Sequence, residues 1–343
     1  MLDRWAARQM GLSCPLTREK VAAWQLARLG ETVERARRTS KFYGARLPAR
    51  PISSWEEFEA LPFTTPEDLR EHGGEMLCVP PDCIHRVVTL TTSGSTGRPK
   101  RVYFTSADQE LTIDYFHHGM AEFVSPGERV MSLFPGESPG CLNDLLGRAL
   151  ERMDCPLTCF GYPTPERYDA LLDAILAGGI QSLVGPAQAV AGAAERSAAR
   201  GLDGALAGQI NSVLLAAAYV SPEHRAAIER LWHCQVNEHY GMTETGLAGA
   251  VGCREPGGYH VWEAGLYYEI ISPATGRPLP EGERGEIVVT TLNREGMPFV
   301  RYRTGDMSRF LPGSCPCGSA LRRLERVGDR PAEKKFLRPE PVF

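Results

Sequence analysis

Lysine is nearly absent from this sequence. Of 38 Lys and Arg residues only five are Lys, namely Lys20, Lys41, Lys100, Lys334 and Lys335, so Lys100 stands alone between residues 42 and 333. Long apolar runs are absent too: no stretch reaches the ~18 residues of a membrane-crossing helix. A net charge of −4 gives no surplus of one sign, and with it no electrostatic footprint for nucleic acid or a membrane surface. The start, MLDRWAARQM, mixes acid and base without an apolar core, so no secretory signal is read there. Ten Cys without such a signal suit cytosolic thiols or metal ligands rather than a disulfide framework, and the expected location is the cytoplasm. Internal repeats and low-complexity segments are missing as well. What remains is an ordinary globular composition, 43% hydrophobic and 23% charged, in a chain of 343 residues that exceeds the usual single-domain size.

The pattern along the chain is first α/β and then β. Residues 17–43 have helical spacing, Ser54 with Glu57 reads as a capping box, and Thr65-Pro66 opens a second short helix. Strands are expected at 86–92 and at RVYFT, with a helix from Ser106. Strands at 128–134, 180–185, 212–220 and 234–241 alternate with helices from Thr164-Pro165 to about Ala177, over 187–199, and from Ser221-Pro222 to Trp232. Such alternation predicts a mostly parallel sheet flanked by helices. After about residue 245 strands follow one another (YHVW, LYYEIIS, GEIVVTTL, FVRYRT), which reads as an antiparallel subdomain. The expected division is 1–245 for the α/β part, 246–327 for the β part, and 328–343 for an irregular tail.

Lys100 closes the segment TTSGSTGRPK, residues 91–100. Main-chain N–H groups freed by Gly94 and Gly97, hydroxyls from Thr91, Thr92, Ser93, Ser95 and Thr96, and one ammonium are what a bound phosphate needs. The Walker A pattern does not occur. On composition alone a polar surface turn explains the loop equally well.

Two further segments change the balance. TTSGSTGRPK is similar to the phosphate loop of the adenylate-forming superfamily, which includes acyl-CoA synthetases and ligases. YGMTE (240–244) resembles its second signature and YRTGD (302–306) its third, in the family's order. With the flanking GEIVVTTLNREGMPFVRYRTGD, the chain most resembles the phenylacetate–CoA ligase branch over roughly residues 17–327. The resemblance implies that Ser93, Gly94, Ser95, Thr96, Gly97 and Lys100 hold the β- and γ-phosphates of ATP. Tyr240 would stack on adenine, with Glu238, His239, Gly241 and Met242 in the same nucleotide-binding stretch. Thr243 would touch the α-phosphate, Glu244 would hold Mg²⁺, and Asp306 would bind the ribose hydroxyls. Ala216, Ala217 and Ala218 stand where relatives have a glycine-rich adenine wall. The implied activity is ATP-dependent formation of an acyl-adenylate from a small carboxylic acid, followed by transfer to CoA. Taken singly, Glu244 also reads as a solvated helix-start carboxylate, Tyr240 as a core aromatic and Asp306 as a turn cap.

Cys315-Pro316-Cys317-Gly318 is a tight turn with two thiols, and Cys253 and His260 lie upstream. Alone, the C-x-C pair reads as buried reduced cysteine. With Cys253 and His260 it completes a Cys₃His set suited to structural Zn²⁺, and the resemblance implies zinc at equivalent positions in some phenylacetate–CoA ligase-like proteins. Cys14, Cys78, Cys83, Cys141, Cys155, Cys159 and Cys234 show no such logic. His117-His118 and Glu137 (in FPGESPG) are candidates for lining an acyl pocket, with an exposed histidine pair and a solvated loop glutamate as the plain alternatives.

One departure from the family is plain. Relatives continue past a Gly-Arg hinge into a small C-terminal domain that carries the adenylation lysine. Here the segment reads VGDRPAEKKFL, with Asp329 after Gly328 and Arg330 displaced by one, and that domain is expected to be absent. Lys334 and Lys335 lie too early to replace its lysine. A partner protein supplying such a domain is one expectation. A catalytically impaired ATP- or AMP-binding regulatory protein is a second expectation, and a fragment of a longer natural chain a third. A homodimer is the commonest assembly to expect.

Overall fold

Helix caps and proline positions set most of the helices. In chain order the elements are α1 (Leu2–Met10), α2 (Arg18–Thr39), α3 (Lys41–Gly44), α4 (Trp55–Glu59), α5 (Pro66–His72), β1 (Arg86–Leu90), β2 (Lys100–Phe104) and α6 (Ser106–Met120). Then come β3 (Val130–Ser132), α7 (Leu142–Glu151), β4 (Leu157–Cys159), α8 (Tyr168–Gly178), β5 (Ser182–Gly185), α9 (Ala187–Ala199), α10 (Asp203–Ala207), β6 (Ser212–Leu215), α11 (Pro222–Trp232) and β7 (Gln235–Gly241). The last are β8 (Gly249–Gly252), β9 (Tyr259–Val261), β10 (Leu266–Ile271), β11 (Gly285–Thr291), β12 (Tyr302–Ser308) and β13 (Arg323–Leu324). The computed structural model describes residues 2–90, 99–136, 138–253, 255 and 257–327. Ser93, Gly94, Ser95, Thr96 and Gly97 of the phosphate loop, Glu137, and the tail with Gly328, Asp329, Arg330, Lys334 and Lys335 lie outside the described residues.

Contacts divide the chain into two units. One holds Met1–Leu111, Met242–Ala250 and Glu255–Phe343, and the other Thr112–Gly241 with Val251–Arg254. The second unit is the parallel α/β part, with strands in the order β4-β3-β5-β6-β7. Successive strand residues face opposite sides. Met131, Leu183, Val213 and Leu215 therefore meet Leu171, Leu172 and Ile175 of α8, Val190 and Ala194 of α9, and Ile228 and Trp232 of α11. Val130, Val184 and Leu214 face the other way, onto Met120 of α6 and Leu146 and Leu150 of α7. A sheet covered by helices on both faces has continuously apolar strands, as β3, β5 and β6 do.

The first unit carries the antiparallel strands. β10, β11 and β12 pair in that order, and β9 pairs with β13. Every residue of β11 is buried. Helix α2 is tied to this sheet's loops, since Gln25 Nε2 donates to the Glu263 carbonyl at 2.8 Å and Thr32 Oγ1 to that of Leu292 at 3.0 Å. The register of β11 against β12 shifts between Glu286 and Val288. At that bulge Gly305 has φ 74, and its N–H donates to Glu286 Oε1 at 3.1 Å.

Several elements differ from the sequence reading. The strand expected over 212–220 stops at Leu215, because Ala217 turns into the left-handed region at φ 67. The strand expected at FVRYRT begins only at Tyr302, because Arg301 has φ 48. A turn of 3₁₀ helix, Pro165–Arg167, precedes α8. α6 does start at Ser106 as expected, and Thr105 before it exchanges hydrogen bonds of 3.1 Å with Asp108. α1, α7 and β8 were not foreseen.

Arg301 is the largest polar side chain in the interior of the first unit, with 1% exposure. Its Nε and Nη2 donate to Glu269 at 3.1 and 2.7 Å, and its Nη1 to the carbonyls of Glu59 and Leu61. Removing one member of such a pair leaves an uncompensated charge. Arg301→Met should therefore cost about 3–5 kcal/mol in urea unfolding, and adding Glu269→Leu should recover most of the loss. A single variant as stable as wild type would show the pair to be dispensable.

Candidate active site

Lys100 and Glu244 are 144 positions apart in sequence and in direct contact in the first unit. Lys100 opens β2 and pairs with Leu90 of β1. Glu244 sits in a single 3₁₀ turn, Thr243–Thr245, just after β7. That turn is closed by two left-handed residues, Gly246 at φ 73 and Leu247 at φ 64. The Lys100 ammonium meets Glu244 Oε1, and the Tyr302 hydroxyl donates to the same oxygen at 2.9 Å. Arg294 donates from Nη1 to the Glu244 carbonyl, and its guanidinium lies 4.2 Å over the Phe104 ring. Burial by itself would raise the Glu244 carboxyl. The Lys100 ammonium, with its hydrogen bond and that of Tyr302, outweighs burial and holds the group below the ordinary carboxylate value.

Tyr302 and Arg294 were not singled out by the sequence reading. Tyr302 had a usable signal, as the first residue of YRTGD. Arg294 had none, being one Arg among many in the loop after β11. Asp306 lies four residues beyond Tyr302 on β12 and is buried, and its N–H donates to Thr304 Oγ1 at 3.0 Å. The preceding bulge at Gly305 sets its direction, so Asp306 is a strand residue and not the cap of a turn.

The second unit holds the residues expected around adenine. Ala216 follows β6, and Ala217 takes a conformation that usually selects glycine. On β7, Glu238 is buried and paired with Arg225 of α11 at 2.8 Å. His239 points the other way, toward Tyr115 of α6 with ring centroids 5.8 Å apart. Burial pushes His239 down to about 4, so the imidazole is neutral. Tyr240 and Gly241 end the strand, half-buried. His117 and His118 lie edge to face at 4.6 Å on α6, with His118 Nε2 3.6 Å from Asp114.

The Cys and His residues also converge. Within the first unit, one ligand atom from each of His260, Cys315 and Cys317 lies within 4.8 Å of the others. Cys317 Sγ is 3.3 Å from His260 Nε2, and His260 Nδ1 is 3.3 Å from the Leu321 carbonyl. Zinc bonds of about 2.0–2.3 Å put the corners of a tetrahedron roughly 3.3–3.8 Å apart, so this donor set suits the ion. A carbonyl on Nδ1 leaves Nε2 facing the thiols, the usual arrangement of a ligating imidazole. Burial holds the His260 imidazole below its ordinary pKa, in the neutral form a metal requires.

The profile of the AMP-binding enzyme family matches residues 54–293. A phenylacetate–coenzyme A ligase of Escherichia coli is 28% identical over 330 residues, 93% of this chain and 72% of that protein. One from Pseudomonas putida is 29% identical over 329 residues, with 93% and 72% covered. Among solved structures, an open conformation of 2-hydroxyisobutyryl-CoA ligase, in complex with 2-HIB-AMP and CoA, superposes with a TM-score of 0.82. It is 22% identical and covers 92% of this chain and 71% of its own, a likeness of fold. The profile spans well over half of the sequence and holds both Lys100 and Glu244, and on that ground the chain belongs to the AMP-binding enzyme family.

Proposed function

We propose that this protein activates a small carboxylic acid with ATP, as an acyl-adenylate, and passes the acyl group to coenzyme A. The observation that carries the reading is the meeting of Lys100 with Glu244, a phosphate-type cation beside a metal-type carboxylate. The similarity to phenylacetate–coenzyme A ligases supports an arylacetic acid as the first substrate to try.

The chemistry is a displacement at phosphorus. A carboxylate oxygen bonds to the α-phosphorus, the bond to the bridging oxygen breaks, and pyrophosphate leaves. In the second step the CoA thiolate attacks the acyl carbon and AMP leaves. The protein's task is to position the reactants and to meet developing charge. Lys100 would face the β- and γ-phosphates together with Ser93, Gly94, Ser95, Thr96 and Gly97, and Thr243 the α-phosphate. Tyr240 would stack on adenine against Ala216, Ala217 and Ala218, and Asp306 would hold the ribose. Glu244 fits magnesium, being a buried carboxylate kept ionised by its neighbours. Bound there, the ion would neutralise phosphate charge.

Cys253, His260, Cys315 and Cys317 would hold a structural Zn²⁺ that supplies folding energy and takes no part in the reaction. α1 is tied to the same loop, since Asp3 accepts from the Ala320 N–H at 2.9 Å and from the Ser319 hydroxyl. A metal there would steady that junction.

Two measurements test these readings. Carboxylate-dependent ATP–pyrophosphate exchange should be detectable across a panel of aryl and short aliphatic acids, and Lys100→Ala should lower it at least about tenfold. ATP binding with no exchange for any acid would favour a nucleotide-binding regulatory protein instead. Metal analysis of the purified chain should give about one Zn²⁺ per molecule, and Cys315→Ser should lower both zinc content and melting temperature. A metal-free wild type of equal stability would exclude the zinc site.

A further inference from the structure

Both side-chain donors to the Glu244 carboxylate end on one oxygen. Oε1 takes the Lys100 ammonium and the Tyr302 hydroxyl, and among the described residues Glu244 is the one carboxylate that Lys100 pairs with. The pair is shielded from water, with 15% of the Lys100 side chain and 7% of the Glu244 side chain exposed. Two groups expected to serve different parts of a nucleotide complex are thus serving each other.

We propose that Lys100 is a place-holder for the divalent cation at Glu244, so that metal and nucleotide enter by exchange of partners. This rests on the nucleotide site proposed above. A divalent cation arriving alone meets a carboxylate already neutralised and an ammonium close enough to repel it. A triphosphate arriving without metal must draw Lys100 away, stranding a buried carboxylate. When both arrive together, Lys100 transfers to phosphate oxygen and Glu244 to the cation, and every charge keeps a partner. The exchange makes the two binding events mutually reinforcing, and the reinforcement is reciprocal. Tyr302 contributes a neutral hydrogen bond to Oε1 and carries no charge to be displaced.

Mn²⁺ is the probe, followed by paramagnetic resonance and by calorimetry on the full chain. Wild type should bind Mn²⁺ with ATP but Mn²⁺ alone only weakly. Lys100→Gln should bind Mn²⁺ alone at least about tenfold more tightly than wild type, and K100Q/E244Q should return to the wild-type level. Tyr302→Phe, which keeps the ion pair, should leave the nucleotide-free affinity unchanged. The place-holder is overturned if wild type binds Mn²⁺ alone as tightly as K100Q, if the gain survives E244Q, or if Tyr302→Phe produces the same gain. Thermal melting establishes that each variant is folded, and Lys100→Met replaces the glutamine variant if that one is not. The wild-type arm also stands by itself, since nucleotide-free Mn²⁺ binding as tight as that with ATP, and removed by Glu244→Gln, would overturn the proposal. Failure of wild type to bind Mn²⁺ with ATP would instead overturn the nucleotide reading, and this inference with it.

Discussion

A single buried ion pair, Lys100 with Glu244, joins the two stretches of the first unit that matter most for chemistry. One end is anchored by the β1–β2 pairing, where Lys100 lies opposite Leu90. The other is anchored by a short turn that two left-handed residues force back on itself, with Arg294 gripping its carbonyl. A carboxylate 5% exposed cannot remain ionised without compensation, so the ammonium and the carboxylate require each other. Everything else around the site serves to bring these two side chains to one place, including the phenol of Tyr302 and the aromatic face of Phe104 under Arg294.

The second unit meets a different constraint. Its parallel strands are apolar on both faces, and helices must cover them twice. The alanine-rich helix α9 does this by close approach, with Ala187, Ala191, Ala193 and Ala194 among the buried residues. A rigid sheet of this kind presents its functional groups at strand ends. The Ala216–Ala218 backbone lies at the end of β6, and Glu238, His239 and Tyr240 lie at the end of β7, with Glu238 turned toward α11 and His239 toward α6.

Much of this was legible in the sequence wherever local chemistry decides structure. α9 and α11 start and stop where the sequence reading puts them, because Pro186 and Ser221-Pro222 mark their beginnings and a left-handed His233 follows the second. Strand ends were less legible. Neither Ala217 nor Arg301 looks like a residue that adopts positive φ, and both cut short a strand that periodicity would extend. α7 was missed although its pattern is strongly two-sided, because the loop before it drew the reading toward a pocket. Lys100 and Glu244 each stand out in the sequence as motif positions, whereas their pairing does not. That contact is tertiary, and no periodicity encodes which of 42 acidic residues a lone lysine will meet.

The placement of Arg301 has a consequence for phase. In a strand each single-residue slip turns every side chain to the opposite face. Arg301 immediately precedes β12 and is held there by Glu269 and the carbonyls of Glu59 and Leu61, none of which tolerates a shift. It works as a tooth in a ratchet. With that tooth engaged, Tyr302 emerges on the side of Glu244, while the bulge at Gly305 governs the residues beyond it. A cation sealed in the interior thereby fixes which side chains of the YRTGD segment face inward.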